Sequence, residues 1–384
     1  MKSGAEFTSA PRKMADPIRV GFAGAGAIAR CHAFALSALR HYYDDAPEVT
    51  PLLVTSARPE RAREFAARFG FEAVDEAAFW SDPRLDAVFV LGPNRVHFEH
   101  ARRALALPSV RRVYLEKPVC VTREETDAMA AWTVAAPVRV QIGFQLLQLP
   151  AVRRALEEWR SGALGAPVHF KLALLHSGYL DPEYRAGRAA RLAPIPEGGA
   201  FVDLGSHLAS LALAFLGPQL EVVDARAVGP FPDVDARSDL HGLAVLRDAA
   251  SGAVGTLVAS RIAAGHEDAL EIELGGTRGA VRVGSHRPDA LEICTQAGRQ
   301  EWRTVHCGSD YGRSRFPARA AAAGWLRPLV HAHYVFFAAA ADAAAPDMAH
   351  GLLVQRLLHQ IADRLGAGIL PLHAPALGGP HHQG

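Results

Sequence analysis

The sequence predicts an α/β half built on a parallel sheet, followed by an α+β half built on a large, mostly antiparallel sheet. Three observations predict it. Apolar strand-like runs alternate with helical runs up to about residue 145, the first of those runs ends in a glycine-rich turn, and beyond about residue 150 strand-like runs follow one another directly. A chain of 384 residues is also too long for a single core at roughly 150 residues per domain. The expected division is a polar tail over 1–16, a first domain over 17–145, a second over 146–372 and a tail over 373–384.

Each element has a local reason. IRVGFAG from Ile18 is a short apolar run ending in glycine, which suits a buried strand. An Ala-rich helix is expected from Ala27 to Arg40. VTPLLVTS (49–56) is the second strand, and 59–70 is a helix with Pro59 in its first turn and Gly70 as its stop. Strands follow at 86–93, 110–118 and 138–144, with a helix over 97–107 and another opened by Thr122, where Glu125 three residues on makes a capping-box pattern. Strands alternating with helices imply a parallel sheet with right-handed crossovers. In the second half, helices at 151–161 and 200–216 flank a strand at 168–176. Seven strand-like runs then follow, with Ser251-Gly252 and Gly275-Gly276 read as hairpin turns. Two helices, near 325–344 and over 351–368, close the chain.

Composition excludes several functions. Hydrophobic residues make up 49% and charged residues 21%, a globular balance. Forty-one Lys+Arg against 40 Asp+Glu leave a formal charge of +1, without the basic field that a nucleic-acid binder needs. No run of about 18 apolar residues is free of polar interruption, so no membrane partner is expected, and the N-terminus lacks the apolar run of a secretory signal. Cys31, Cys120, Cys294 and Cys307 are scattered with no C-x-x-C, which fits a reducing cytoplasm. Lys2, Lys13, Lys117 and Lys171 are the only lysines in an Arg-rich chain. An amine kept against such a bias suits chemistry that a guanidinium cannot do.

The glycine-rich turn reads Gly24-Ala25-Gly26-Ala27-Ile28-Ala29, a G-x-G-x-x-A pattern between strand and helix. Gly24 lets the chain turn off the strand, Gly26 lets a pyrophosphate approach the backbone, and Ala29 lets the helix pack close. Phosphates then meet the free N–H groups of the helix start at Ala27 and Ile28. The second strand ends in Thr55-Ser56-Ala57-Arg58, without the acid that would hold a ribose 2′-hydroxyl. Ser56 and Arg58 suit a 2′-phosphate, so NADP is expected, with NAD as the alternative.

Two further constellations carry chemistry. Glu116-Lys117-Pro118 ends the fourth strand, where side chains face the crevice at the carboxyl edge of a parallel sheet; a surface ion pair is the competing reading. Asp203 and His207 lie one turn apart on a helix beside an apolar stripe of Leu204, Leu208, Leu211 and Phe215. They suit proton transfer, but a solvated helix face would carry the same pattern. D-x-x-x-H could also supply two metal ligands, although no third is evident, so no metal is expected.

Taken in order, G-x-G-x-x-A, Gly92-Pro93-Asn94 with His97, Glu116-Lys117-Pro118, Gly143-Phe144 and Asp203-x-Gly205-x-His207 resemble the Gfo/Idh/MocA oxidoreductases over roughly residues 18 to 372. The resemblance implies a Rossmann domain followed by a C-terminal domain with an open sheet. It implies a tightly held nicotinamide cofactor and a sugar, polyol or related ring as substrate. Pro93 and Asn94 would line the nicotinamide pocket, His97, Glu116 and Gln145 would also bind the cofactor, and the Lys117–Pro118 bond is expected to be cis, which would hold Lys117 towards the nicotinamide. Lys117, Asp203 and His207 would be catalytic, with Asp203 accepting from a substrate hydroxyl and orienting it; His176 and Tyr179, in LLHSGYLDPEYR, would line the substrate pocket, with an ordinary polar loop as the competing reading. The run of strands in the second half suggests a sheet with one face on helices and an apolar free face that a partner subunit would cover, so a homodimer or homotetramer is expected. Ser56 in place of the usual acid, and Gln145 where relatives often carry Asn, depart from the pattern. The other readings are a catalytically silent sensor of the same fold, and an enzyme that uses the nicotinamide transiently to cleave glycosides.

Overall fold

The computed structural model describes residues 16–132, 138–229, 231–235, 237–295, 299, 301–308, 324–338, 342, 345–366 and 369–370. Apart from Asp16, the two expected tails lie outside these residues. The first sheet contains β1 (Ile18–Ala23), β2 (Val49–Thr55), β3 (Glu72–Ala73), β4 (Ala87–Val90), β5 (Arg112–Leu115) and β6 (Arg139–Ile142). Its order is β3-β2-β1-β4-β5-β6 and every pairing is parallel. The helices between them are α1 (Ala27–Tyr42), α2 (Pro59–Phe69), α3 (Glu76–Phe79), α4 (His97–Ala106) and α5 (Arg123–Ala130). Gly70 ends α2 at φ 77°, and Thr122 with Glu125 makes the expected capping box on α5. The short β3 and α3 have no counterpart in the sequence reading, because two- and four-residue elements show no periodicity.

Both faces of this sheet are buried. Leu53, Val88, Val90, Val113 and Leu115 enter one core, and Val20, Phe22, Phe89 and Tyr114 enter another. Alternation along each strand sends successive side chains to opposite faces, so continuous apolar runs mark these strands.

Beyond the first sheet come α6 (Pro150–Arg160), β7 (Pro167–Leu175), α7 (Pro182–Ala186) and α8 (Ser206–Leu216). Then follow β8 (Leu220–Val228), β9 (His241–Asp248), β10 (Val254–Ser260), β11 (Ala269–Gly276), β12 (Ala280–Gly284), β13 (Ala290–Cys294) and β14 (Arg303–His306). The chain closes with α9 (Leu326–Phe337), α10 (Met348–Leu365) and β15 (Ile369–Leu370). The second sheet runs β14-β13-β12-β11-β7-β10-β9-β8-β15. Only β7–β10 and β8–β15 are parallel.

Two readings need correction, and one packing relationship lies beyond the sequence reading. Gly275-Gly276 is not a turn: both residues lie in β11, where the register against β7 slips, and the chain reverses over 277–279. The helix read over 200–216 starts as a π-helical turn, Phe201–Gly205, before α8 begins. Finally, α9 follows the second sheet in sequence but packs on the first. Leu329, Val330, Tyr334, Phe336 and Phe337 share a core with Phe22, Phe89 and Tyr114.

Candidate active site

The carboxyl ends of β1, β4, β5 and β6 meet the π-helical turn and the strands of the second sheet around a cavity of about 570 Å³. Lys117, Asp203 and His207 all line it, together with Ile28, Asn94, His97, Glu116, Gln145, His176 and Tyr179. Gly24, Gly26, Ala27, Ala29, Ser56, Arg58 and Pro93 are not on its wall. Gly24 donates its N–H to the Thr55 carbonyl at 2.9 Å, so the glycine turn lies against the end of β2 that carries Ser56 and the exposed Arg58.

The glycine turn fits a dinucleotide. Gly24 has φ +136°, and a Cβ there would sit 2.6 Å from the backbone of Leu91, so β1 can run beside the end of β4 only with glycine. Over Gly26 the space is open, with nothing within 4 Å of a Cβ. Helix α1 starts at Gly26 with no side-chain cap and no acid in its first turn, which leaves its N–H groups to an anion.

Lys117 leaves β5 at a cis peptide bond to Pro118. Its Nζ donates to Asp203 Oδ1 at 2.9 Å and to the Asp203 carbonyl at 2.7 Å. Two arginines that the sequence reading did not single out complete the cluster. Arg191 Nη1 lies 3.1 and 2.9 Å from the two Asp203 oxygens, and Arg261 Nη2 lies 3.0 Å from Oδ2. Burial would raise the Asp203 pKa, but the charges of Lys117, Arg261 and Arg191 outweigh it and hold the carboxyl well below its ordinary range.

His207 sits in the first turn of α8, which is buried on nearly every side, so the solvated-face reading fails. Its Nδ1 is sealed without a partner among the described residues, which leaves Nε2 as the nitrogen for the cavity. Burial, reinforced by the Lys117 charge, lowers its pKa well below the usual imidazole value; Asp203 opposes this only in part. The ring is therefore neutral and able to accept a proton.

The helix start that carries both groups is pinned from behind by Asp239, another residue absent from the sequence reading. Its Oδ2 accepts the Phe201 N–H at 2.8 Å and its carbonyl accepts the Ala200 N–H at 2.8 Å. Gly199, at φ +90°, lets Asp239 approach, since a Cβ there would fall 1.7 Å from Oδ1. Burial pushes the Asp239 carboxyl up to about 6, against the pull of the Phe201 N–H and Arg261.

Glu116 is seated by a buried relay. His32 Nε2 lies 3.0 Å from Glu116 Oε1, and His32 Nδ1 lies 2.7 Å from His333 Nε2. His333 Nδ1 has no partner among the described residues, so the relay ends there. His97 sits between the Pro118 carbonyl at 2.6 Å and the Gly92 carbonyl at 2.9 Å; burial lowers its pKa, and the neutral ring donates its one N–H to one of them, packing the Lys-Pro turn against the end of β4. Asn94 donates to the Glu197 carbonyl at 3.0 Å, which links the first sheet's edge to the loop before the π turn. His176 and Tyr179 pack edge to face, with ring centroids 6.0 Å apart.

Comparison with known proteins identifies the two domains. Residues 18–144 match the family model described as the oxidoreductase family with an NAD-binding Rossmann fold, and residues 152–282 match that of the GFO/IDH/MocA C-terminal domain. Levoglucosan dehydrogenase of Pseudarthrobacter phenanthrenivorans is 27% identical over 368 residues, covering 88% of this chain and 93% of the relative. Inositol 2-dehydrogenase of Acidothermus cellulolyticus is 28% identical over 295 residues, covering 75% and 80%. Among solved structures, levoglucosan dehydrogenase in complex with NADH and levoglucosan superposes with a TM-score of 0.80 at 26% identity, covering 92% of this chain and 98% of that one. With both domain models matched in order, the chain belongs to the Gfo/Idh/MocA family of oxidoreductases.

Proposed function

We propose that this protein is an NAD(P)-dependent dehydrogenase that oxidises a ring hydroxyl of a sugar, sugar derivative or cyclitol, or reduces the corresponding ketone. The observation that carries the reading is the Lys117 ammonium, fixed at 2.9 Å from Asp203 in the cavity that His207 also lines. The relatives' names point the same way: they act on levoglucosan and on inositols.

Gly24, Gly26, Ala27, Ile28 and Ala29 would hold the pyrophosphate, and Pro93, Asn94, His97, Glu116 and Gln145 the nicotinamide end. The bound cofactor supplies the hydride acceptor or donor. His207, neutral in its buried site, takes the proton of the substrate hydroxyl. Lys117 donates to the same oxygen and stabilises the negative charge that develops there. Asp203 keeps the Lys117 ammonium aimed, and His176 and Tyr179 flank the ring. NADP is the preferred cofactor of this reading, although the relatives' names carry NAD(H). Ser56 and the exposed Arg58 support it, because they replace the acid that would repel a 2′-phosphate.

The second sheet buries one face on helices, while Leu243 and Val254 on neighbouring strands are exposed. A second copy of the chain covering that surface fits a cytoplasmic homodimer or homotetramer. Light scattering at micromolar concentration tests this, and a monomer refutes it. For the activity, a panel of sugars, sugar nucleotides and cyclitols is incubated with each dinucleotide and followed at 340 nm. Net cofactor reduction with one of them is the expected result. Glycoside cleavage without net reduction, or cofactor binding without turnover, refutes the proposal.

A further inference from the structure

Asp203 has no acceptor capacity to spare. Oδ1 accepts from Lys117 at 2.9 Å and from Arg191 at 3.1 Å; Oδ2 accepts from Arg191 at 2.9 Å and from Arg261 at 3.0 Å. A carboxylate offers about four lone-pair sites, and all of them are taken. A substrate hydroxyl can therefore bind Asp203 only by displacing one of these donors.

The three donors differ in freedom. The Lys117 side chain is 15% exposed and is also tied to the Asp203 carbonyl. Arg261 is 1% exposed, its other terminal nitrogen bonds the Arg191 carbonyl, and its guanidinium lies over the Tyr179 ring at 4.7 Å. Arg191 is 60% exposed and reaches both oxygens through Nη1 alone. Solvent competes for Arg191 and not for Arg261, so Arg191 is the donor that can leave at small cost. The same cavity offers it other acceptors, since Glu267 and Asp268 line the wall and are exposed.

We propose that Arg191 holds the position on Asp203 that a substrate hydroxyl takes, and that it is exchanged for that hydroxyl on binding. The proposal rests on the dehydrogenase reading and adds to it a residue that sets which hydroxyl patterns bind. The hydroxyl oxidised at His207 and Lys117 has a neighbouring hydroxyl that donates to Asp203, so the substrate is a vicinal diol or polyol. Arg191 is a specificity-determining residue: it disfavours compounds whose neighbouring position carries no donor to replace it, because such a compound leaves the ion pair closed.

The test compares wild type with R191Q and R191K. Because Arg191 is exposed, both variants are expected to fold, and a thermal melt checks this. Calorimetry measures the polyol Kd in the presence of the reduced dinucleotide, and steady-state rates give KM and kcat. Removing the competitor lowers Kd and KM for the polyol by about two- to fivefold in R191Q and raises kcat/KM through KM, with R191K between. Added salt lowers KM in wild type and leaves R191Q flat, because an exposed ion pair is screened. A deoxy analogue lacking the neighbouring hydroxyl gains nothing from R191Q. If Kd is unchanged or weaker in R191Q while the wild type turns over, the exchange is refuted and the dehydrogenase reading stands. A wild type inert to every sugar and cyclitol with both dinucleotides refutes the dehydrogenase reading itself.

Discussion

Lys117 Nζ lies 2.9 Å from Asp203 Oδ1 and 2.7 Å from the carbonyl oxygen of the same residue, so one ammonium joins the end of β5 to the helix start that carries His207. The contact spans 86 positions of sequence. Its aim is set from both sides: Pro118 and His97 hold the strand end, and Asp239 holds the helix start.

Replacing Lys117 by Ala removes the only lysine among the described residues on the wall of the cavity. Asp203 keeps Arg191 and Arg261, so the fold survives. Loss of one donor to a developing oxyanion lowers kcat by roughly 10²–10³-fold. Steady-state rates with the best substrate check this, and a loss under tenfold would show that the ammonium does not face the reacting oxygen.

His207 gives the reaction its pH dependence. Its pKa lies well below 6.5, so the neutral base is populated throughout the neutral range. For alcohol oxidation, kcat/KM stays level through neutral pH and on past 6.5, and falls only well below it, where the ring takes up a proton. H207Q loses that limb together with roughly 10²–10⁴-fold in rate. A limb unchanged in H207Q would assign it to another group.

Ser56 sits where an acid would select NAD. S56D should accept the ribose 2′-hydroxyl and repel a 2′-phosphate, moving the NAD-to-NADP ratio of kcat/KM towards NAD by about tenfold or more. Equal use of the two cofactors before and after the change would remove Ser56 from the discrimination.

Gly24 and Gly26 should separate folding from binding. Alanine at Gly24 meets both a positive φ and the Leu91 backbone at 2.6 Å, so G24A costs about 2–4 kcal/mol of stability, read from urea denaturation. Gly26 has φ −85° and open space, so G26A folds normally but binds the dinucleotide about tenfold more weakly or worse, read by titration. The reverse pattern would mean that the two glycines have been given each other's roles.

Much of this was legible in the sequence because it is local. The strand-turn-helix around Gly24, the capping box at Thr122 and the stop at Gly70 each depend on residues a few positions apart. Lys117, Asp203 and His207 could be named because their motifs are compact, although nothing in the spacing alone brought them together. Arg191, Arg261 and Asp239 were missed for a physical reason. They bond Asp203, Arg191 and Phe201 across 12 to 70 positions, and in an arginine-rich chain one more arginine carries no signal. The π-helical turn was equally hidden, since the same residues suit an ordinary helix. Gly275-Gly276 misled because two glycines mark a close backbone approach as readily as a turn.

The packing of α9 on the first sheet sets an order of assembly. A ribosome that has released residue 145 has made every strand of that sheet, yet the surface around Phe22, Phe89 and Tyr114 is still missing the partners that cover it. Those partners emerge nearly two hundred residues later. A nascent nucleotide-binding half therefore waits, with an aromatic face open to chaperones, until α9 arrives to seal it.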